Sequence, residues 1–260
     1  MSDPVIHPTA VIGQRVTVGS GTVVGPYCVI EDDVAIGSDC QFMASAYIGR
    51  YTQMGDRNKV FPFATIGVQP QDLKFGGGKT TTVIGDDNVF REQCAIHRGT
   101  EQGGGQTTIG NKNLFMVSSH VAHDCEVASH TIFSHAATLA GHVHVGSHAT
   151  IGAYSGVHQF CRVGDYAFIG GYSVITQDAL PFVKSVGNRA KIYGINNIGL
   201  ERLGFTETEV KNLKSAYRTL FQRQLRLIDA LEKLKQDYAS CPRVQYLVKF
   251  IETSERGIVR

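Results

Sequence analysis

Leu139-Ala140-Gly141-His142-Val143-His144-Val145-Gly146-Ser147-His148-Ala149-Thr150-Ile151-Gly152 carries an aliphatic residue at every sixth position, Leu139, Val145 and Ile151. Followed outward, the series runs back through Phe133, Val127, Val121 and Phe115 to Ile109, and forward through Val157, Val163 and Ile169 to Ile175. Earlier in the chain the same period links Ile84, Phe90 and Ile96, and before that every sixth residue from Ile6 to Ile66. No position is missed inside any run, in a chain that is only 42% hydrophobic. A period of six fits neither an α-helix nor an alternating strand. It is the signature of a parallel β-helix, in which three hexads make one coil of about 18 residues and the aliphatics stack inside. Half of the aliphatics are followed directly by Gly, as in Ile12-Gly13 and Ile48-Gly49. The expectation is that this glycine turns the corner of the coil through an unusual φ/ψ.

Five of the six cysteines (Cys28, Cys40, Cys94, Cys125 and Cys161) lie four residues after an aliphatic, a slot otherwise filled by small residues. No CxxC pair occurs, so they read as small buried fillers rather than disulfides or metal ligands. The period is broken twice. Near residues 67–82 the expected aliphatic positions hold Asp72 and Gly78, and a Gly-rich stretch near 101–107 shifts the phase. Gly76-Gly77-Gly78-Lys79-Thr80 imitates a phosphate loop, but the glycine that pattern needs five residues before Gly78 is Leu73. After Ile175 the period ends. A capping-box pattern at Thr206-Glu207-Thr208-Glu209 predicts a helix, followed by a second over about Leu225 to Tyr238 and a third from Ser240 with Pro242 in its first turn. The predicted architecture is mainly β: a parallel β-helix over residues 1–186 with two inserted loops, closed by a C-terminal α-helical domain over 187–260 that covers strand edges otherwise left open. The tail's Arg218, Arg223, Arg226, Lys233 and Lys235 read as a solvated face or a receiver for an acidic partner.

Twenty-five basic against 23 acidic residues leave a formal charge of +2, too balanced for nucleic acid or a membrane surface as the main partner. The first residues lack a basic segment leading into an apolar run, and no apolar stretch approaches the length of a membrane span. These features read as a soluble, reduced, cytoplasmic protein.

Chemistry concentrates in His120-Val121-Ala122-His123-Asp124-Cys125, since eight of the ten histidines fall between His120 and His158. With an 18-residue pitch His123 stacks on Gly141 and Gly141 on Gln159. His142 and His158 then share a ridge with His123, with His120 at its edge. His7, His130, His135, His144 and His148 read as surface or hydrogen-bonded side chains. Two chemistries fit such a ridge. Several imidazoles can hold a metal, as in hexapeptide enzymes of the γ-carbonic-anhydrase kind. Alternatively one histidine acts as general base beside a backbone N–H, such as that of Gly141, which stabilises an oxyanion. Asp124 is a candidate orienting partner for His123, although neighbours in a strand point apart.

The segments Gln71-Asp72-Leu73-Lys74, Ile96-His97-Arg98-Gly99-Thr100, His120 to Cys125, Ala140-Gly141-His142, Gly156-Val157-His158-Gln159-Phe160, Gly187-Asn188 and Arg256-Gly257-Ile258-Val259-Arg260 together resemble the UDP-N-acetylglucosamine 3-O-acyltransferase family. The resemblance covers essentially the whole chain. It implies a left-handed β-helix, an exception to right-handed crossover, assembled as a homotrimer with active sites between subunits and needing no cofactor or metal. It implies transfer of an (R)-3-hydroxyacyl chain from acyl carrier protein to the 3-hydroxyl of UDP-N-acetylglucosamine, the first step of lipid A synthesis. A 3-amino sugar analogue, giving an amide, is the alternative acceptor. The resemblance gives His123 the role of base and Gly141 that of oxyanion donor. Gln71, Asp72 and Lys74 would meet the acyl donor. His97, His120, His142, His158 and Gln159 would meet the sugar nucleotide, and Asn196 and Arg202 the nucleotide or donor. Gly171 occupies a position where a bulky residue shortens the accepted chain, so glycine implies a longer one, while Arg189 sits where length can also be limited. The chain departs from the family in Leu200-Glu201-Arg202-Leu203-Gly204-Phe205, which keeps only Arg202 of the usual basic run, with Ile198 just before it.

Overall fold

The computed structural model describes residues 2–260. Its strands are mostly two residues long and fall into three sheets of 11, 9 and 8 strands. Within each sheet the partner lies one coil away, and in uninterrupted stretches the register steps by 18 residues, as in Val5↔Val23, His120↔Thr138 and Glu126↔His144. The chain thus visits the first, second and third sheets in turn, and the fold is a left-handed parallel β-helix. Where an insert intervenes the register lengthens, as in Lys59↔Val89 and Ala95↔His120.

Inside the coil run the expected apolar rows, with Ile48, Ile66, Phe90, Ile96, Phe115, Val121, Phe133, Leu139, Ile151 and Ile169 all fully buried. Phe90, Phe115 and Phe133 stack on successive coils of the first sheet, with centroids 5.0 and 4.8 Å apart. The slot four residues after the aliphatic also points inward, and the five cysteines that fill it are buried and free. At four successive coils this slot is polar and paired along the coil axis. Asn58 Oδ1 accepts the Asn88 N–H at 2.9 Å, Asn88 Oδ1 the Asn113 N–H at 2.9 Å, and Asn113 Oδ1 the Thr131 N–H at 2.7 Å. A buried amide needs such partners, because an unmade hydrogen bond costs about 1–3 kcal/mol.

The corners correct the expectation about glycine. The left-handed residue sits three positions after the aliphatic and is usually not glycine: Arg15 (φ 55°), Asp33 (60°), Asp124 (57°) and His142 (60°). Its N–H reaches the preceding coil, as when His142 N–H donates to His123 O at 3.1 Å. The glycine directly after the aliphatic is needed for space instead. A Cβ on Gly13 would lie 2.6 Å from the Asp32 backbone nitrogen, and one on Gly19 2.5 Å from the Gly37 carbonyl carbon. Coils stacked at strand spacing, about 4.8 Å, leave no room there for a side chain.

Beyond Ile175 two strands that the period does not announce, Val183–Val186 and Lys191–Ile195, pair antiparallel at the end of the first sheet. Four helices follow: α1 (Asn197–Arg202), α2 (Glu207–Phe221), α3 (Leu227–Asp237) and α4 (Pro242–Glu252). The capping box forms at α2, where Thr206 Oγ1 accepts the Glu209 N–H and Glu209 Oε2 accepts the Thr206 N–H. Pro242 opens α4 with Cys241 as N-cap, one residue later than the Ser240 expectation. The helices share a second core with Leu180, Phe182 and Val183. Asp178 and Arg162 fasten the two cores: the buried Asp178 carboxylate accepts from Arg162 N–H, Arg162 Nε and Ser254 Oγ, while Arg162 Nη2 donates to Phe250 O. That end is closed. At the other, Ile6 is 41% exposed. Of the tail's basic residues, Arg226, Lys233 and Lys235 pair with Asp229, Asp237 and Glu252. Among the described residues no helix is long and apolar enough to cross a membrane.

Candidate active site

His120–Val121 is a strand of the second sheet, and His123 and Asp124 form the corner that leads to the third. Since Asp124 holds the left-handed corner conformation, the strand alternation that would part these neighbours does not apply. His123 Nδ1 and Asp124 Oδ2 are hydrogen-bonded at 2.7 Å. The carboxylate is nearly fully buried, and its other hydrogen bonds come from Thr100, where the second insert begins. Thr100 N–H donates to Oδ1 at 2.9 Å and Thr100 Oγ1 to Oδ2 at 2.6 Å. Asp124 N–H donates to Thr107 Oγ1 at 2.8 Å.

One coil on, the His123 ring lies over Gly141: a Cβ there would stand 2.6 Å from His123 Cε1 and 2.9 Å from Nε2. At the same corner lower in the coil, Gln14 N–H donates to Asp32 Oδ1, but no hydrogen bond among the described residues uses the Gly141 N–H. His142 meets the pair edge-on, with its centroid 5.2 Å from that of His123 and its Nε2 3.8 Å from Asp124 Oδ2, and it stacks on Phe160 at 4.6 Å.

His97, not His158, completes the cluster. His97 and His120 meet edge-on at 4.9 Å, and His97 Nδ1 is buried without a partner. His158 faces the C-terminal segment instead, its Nδ1 3.3 Å from Arg256 Nη2, and Gln159 beside it is exposed. The stacking arithmetic missed His97 because the second insert places it 23 residues before His120 instead of on an 18-residue register. Burial pushes the His120 and His142 imidazoles down from their ordinary value, and the neighbouring His123 adds to this. At His142 the Asp124 carboxylate opposes that push, and the charge of Asp72, on the first insert, adds to the opposition. Gln71 and Lys74 beside Asp72 are exposed. The two inserts are tied together: Gly78 N–H donates to Glu101 Oε1 at 2.6 Å, and Phe75 lies 5.3 Å from the Arg98 guanidinium.

His97, 4% exposed, is pushed down to about 4 by burial, with His120, His123 and Arg98 contributing. Between the ordinary 6.5 and about 4, the unfolded chain binds a proton that the folded site refuses. Stability is therefore expected to fall as the pH drops through that window. Urea midpoints taken from pH 7 to 4.5 should decline, and His97→Gln should flatten part of the slope.

Asn196 and Arg202 lie elsewhere on the chain. They line a cavity of about 560 Å³ on the first sheet with His130, His148, Phe168 and Lys184. Asn196 Nδ2 also donates to Tyr166 O. Gly171 is exposed, and a Cβ there would meet only Ala153, its O at 3.3 Å, so the fold itself does not demand glycine.

The coils of hexapeptide repeats place the chain among the hexapeptide-repeat transferases, as the family comparison shows. Residues 142–177 match the bacterial transferase hexapeptide family model, and residues 178–259 match the second domain of UDP-N-acetylglucosamine O-acyltransferase. The chain is 46% identical over 255 residues to the acyl-[acyl-carrier-protein]–UDP-N-acetylglucosamine O-acyltransferase of Thermodesulfovibrio yellowstonii, covering 98% of this chain and 99% of the relative. It is 40% identical to the enzyme of that name from Syntrophobacter fumaroxidans, covering 98% and 99%. The crystal structure of the Moraxella catarrhalis UDP-N-acetylglucosamine O-acyltransferase superposes with a TM-score of 0.96 at 42% identity, covering 98% of this chain and 99% of that one. The chain belongs to the acyl-[acyl-carrier-protein]–UDP-N-acetylglucosamine O-acyltransferase family.

Proposed function

We propose that the chain moves an (R)-3-hydroxyacyl group from acyl carrier protein to the 3-hydroxyl of UDP-N-acetylglucosamine, the step that begins lipid A synthesis, in the cytoplasm. The observation that carries this reading is the 2.7 Å His123–Asp124 hydrogen bond beneath a ring lying over Gly141. With Nδ1 donating to Asp124, His123 Nε2 is the basic nitrogen. It takes the sugar hydroxyl's proton as that oxygen attacks the thioester carbonyl. The Gly141 N–H, with no acceptor of its own among the described residues, stabilises the oxyanion. The C–O bond forms, the C–S bond breaks, and the imidazolium returns the proton to the leaving thiolate. No cofactor takes part.

His97, His120 and His142, held neutral by burial, suit hydrogen bonding to the sugar. Gln71, Asp72 and Lys74 on the first insert receive the hydroxyacyl donor, and Gly171 leaves room for a long chain that Arg189 bounds. His158 and Gln159 border the pocket from the side of Arg256. The Asn196–Arg202 cavity takes the nucleotide. It opens on the first sheet, whereas His123 stands at the corner between the second and third. One protomer thus holds the two halves of a site on different surfaces, which supports a homotrimer with each site between neighbouring subunits.

A metal reading of His123, Asp124 and His142 fits less well, although their candidate ligand atoms lie within 4.8 Å of one another. Two ligands on one tetrahedral zinc stand about 3.3 Å apart, given Zn–N near 2.0–2.1 Å. His123 Nδ1 and Asp124 Oδ2, 2.7 Å apart, therefore do not share one as they stand, and a metal would have to take His123 through Nε2. Stoichiometric metal in the purified protein would overturn the base assignment. The deciding assay offers hydroxyacyl carrier proteins of graded length with UDP-N-acetylglucosamine or its 3-amino analogue. An ester with the former is expected. Product with neither acceptor removes the proposal, and amide alone replaces it with N-acylation.

A further inference from the structure

We propose that Thr100, in the second insert, is a positioning residue that commits the Asp124 carboxylate to His123. The inference rests on His123 acting as the base. A nearly buried carboxylate has to be held by donors, and Thr100, itself 1% exposed, supplies two from one residue: its N–H to Oδ1 at 2.9 Å and its hydroxyl to Oδ2 at 2.6 Å. A grip on both oxygens fixes the plane of the carboxylate, and with it the direction in which Oδ2 faces His123 Nδ1.

The grip matters because Asp124 has a rival partner. His142 Nε2 stands 3.8 Å from the same Oδ2. A small turn of the carboxylate would pass the hydrogen bond from one imidazole to the other, and His123 would spend part of its time without the donor–acceptor pairing that keeps Nε2 basic. The insert is shaped around this contact. Gly103 N–H donates to the Thr100 hydroxyl at 3.1 Å, and a Cβ on Gly103 would stand 2.1 Å from Asp124 Oδ2, so only a bare backbone fits against the carboxylate. The same segment reaches the first insert through Glu101 and Arg98. The second insert therefore holds the base's partner and the loop of Asp72 and Lys74 from one stretch of chain.

The test compares Thr100→Val, which keeps the shape and the backbone N–H, with Thr100→Ser, which restores the hydroxyl, and with Thr100→Ala. All are assayed at a temperature where their unfolding curves show them folded. Thr100→Val and Thr100→Ala are expected to lower kcat by about 10- to 100-fold, the range known for outer hydrogen-bond partners that orient the histidines and carboxylates of metal sites. KM for both substrates should stay within about twofold, and Thr100→Ser should recover most of the loss. The downfield proton resonance of the His123–Asp124 hydrogen bond should weaken in Thr100→Val and return in Thr100→Ser. Wild-type kcat in the valine and alanine variants, a loss confined to KM, or a serine variant as impaired as valine would each overturn the inference. His123→Ala, run alongside, separates the two levels: full turnover in that variant removes the base itself, whereas an unaffected Thr100→Val removes only the positioning role.

Discussion

His123→Ala is expected to keep the fold and lose turnover by about 10² to 10⁴, the contribution of a well-placed general base. The two halves of that expectation have separate physical grounds. His123 is a corner residue with its side chain outside the coil, so its removal opens no cavity in the rows of Val121, Leu139 and Val157. Asp124 keeps both Thr100 hydrogen bonds and its backbone bond to Thr107, which spares the buried carboxylate complete isolation. Melting temperature and oligomeric state should therefore stay near those of the unaltered protein. Turnover should not, because no second imidazole can take over. His142 shares Asp124 only at 3.8 Å, and His97 and His120 lie on the strand side of the corner, lowered by burial. The loss should appear in kcat with both substrates saturating. Turnover within a few-fold of the unaltered protein would take His123 out of the mechanism.

How much of this was legible in the sequence depends on which force fixed each feature. The hexad rows were plain because a coil can stack only if an apolar residue enters its core at every sixth position, and a miss would leave a hole or an unpaired polar group. The cysteines were equally plain, since the slot under each corner is closed from solvent and takes nothing larger than Val or Asn along the coils. The corner glycines were found for the wrong reason. Their role is to let neighbouring coils approach, as at Gly13 and Gly19, while the left-handed conformation falls on Asp33, Asp124 or His142 two residues later. The pairing of His123 with Asp124 was underestimated on the same account, because strand alternation was applied to a corner. Thr100 escaped, and His97 was reached through the family resemblance alone, because the second insert removes them from the 18-residue register that brought His123 and Gly141 together. No local pattern says which coil an insert folds back upon. The strands Val183–Val186 and Lys191–Ile195 and the short α1 carry no period at all, and the pairing of the two strands and the packing of this segment against Leu180 and Phe182 define them.

Gly141→Ala separates the position of the base from its chemistry. The substitution leaves the backbone N–H in place and adds one methyl group, which would stand 2.6 Å from His123 Cε1, 2.9 Å from Nε2 and 3.1 Å from Nδ1. Contacts that short cannot be kept, so either the backbone or the ring has to move. The backbone is held: Ala140 N–H and His142 N–H, on either side, donate to Val157 O and His123 O. The ring is the softer partner, and the Cβ would push it off Gly141 and strain its 2.7 Å bond to Asp124. A displacement of about 1 Å at a reacting group costs about 10² in rate, so kcat is expected to fall by that order while the protein melts near its normal temperature. The loss should exceed that of Thr100→Ser, which leaves the ring where it is. An alanine variant with normal kcat would mean that the base does not work from its place over Gly141, and the oxyanion role of that N–H, which depends on both groups facing one carbonyl, would fall with it.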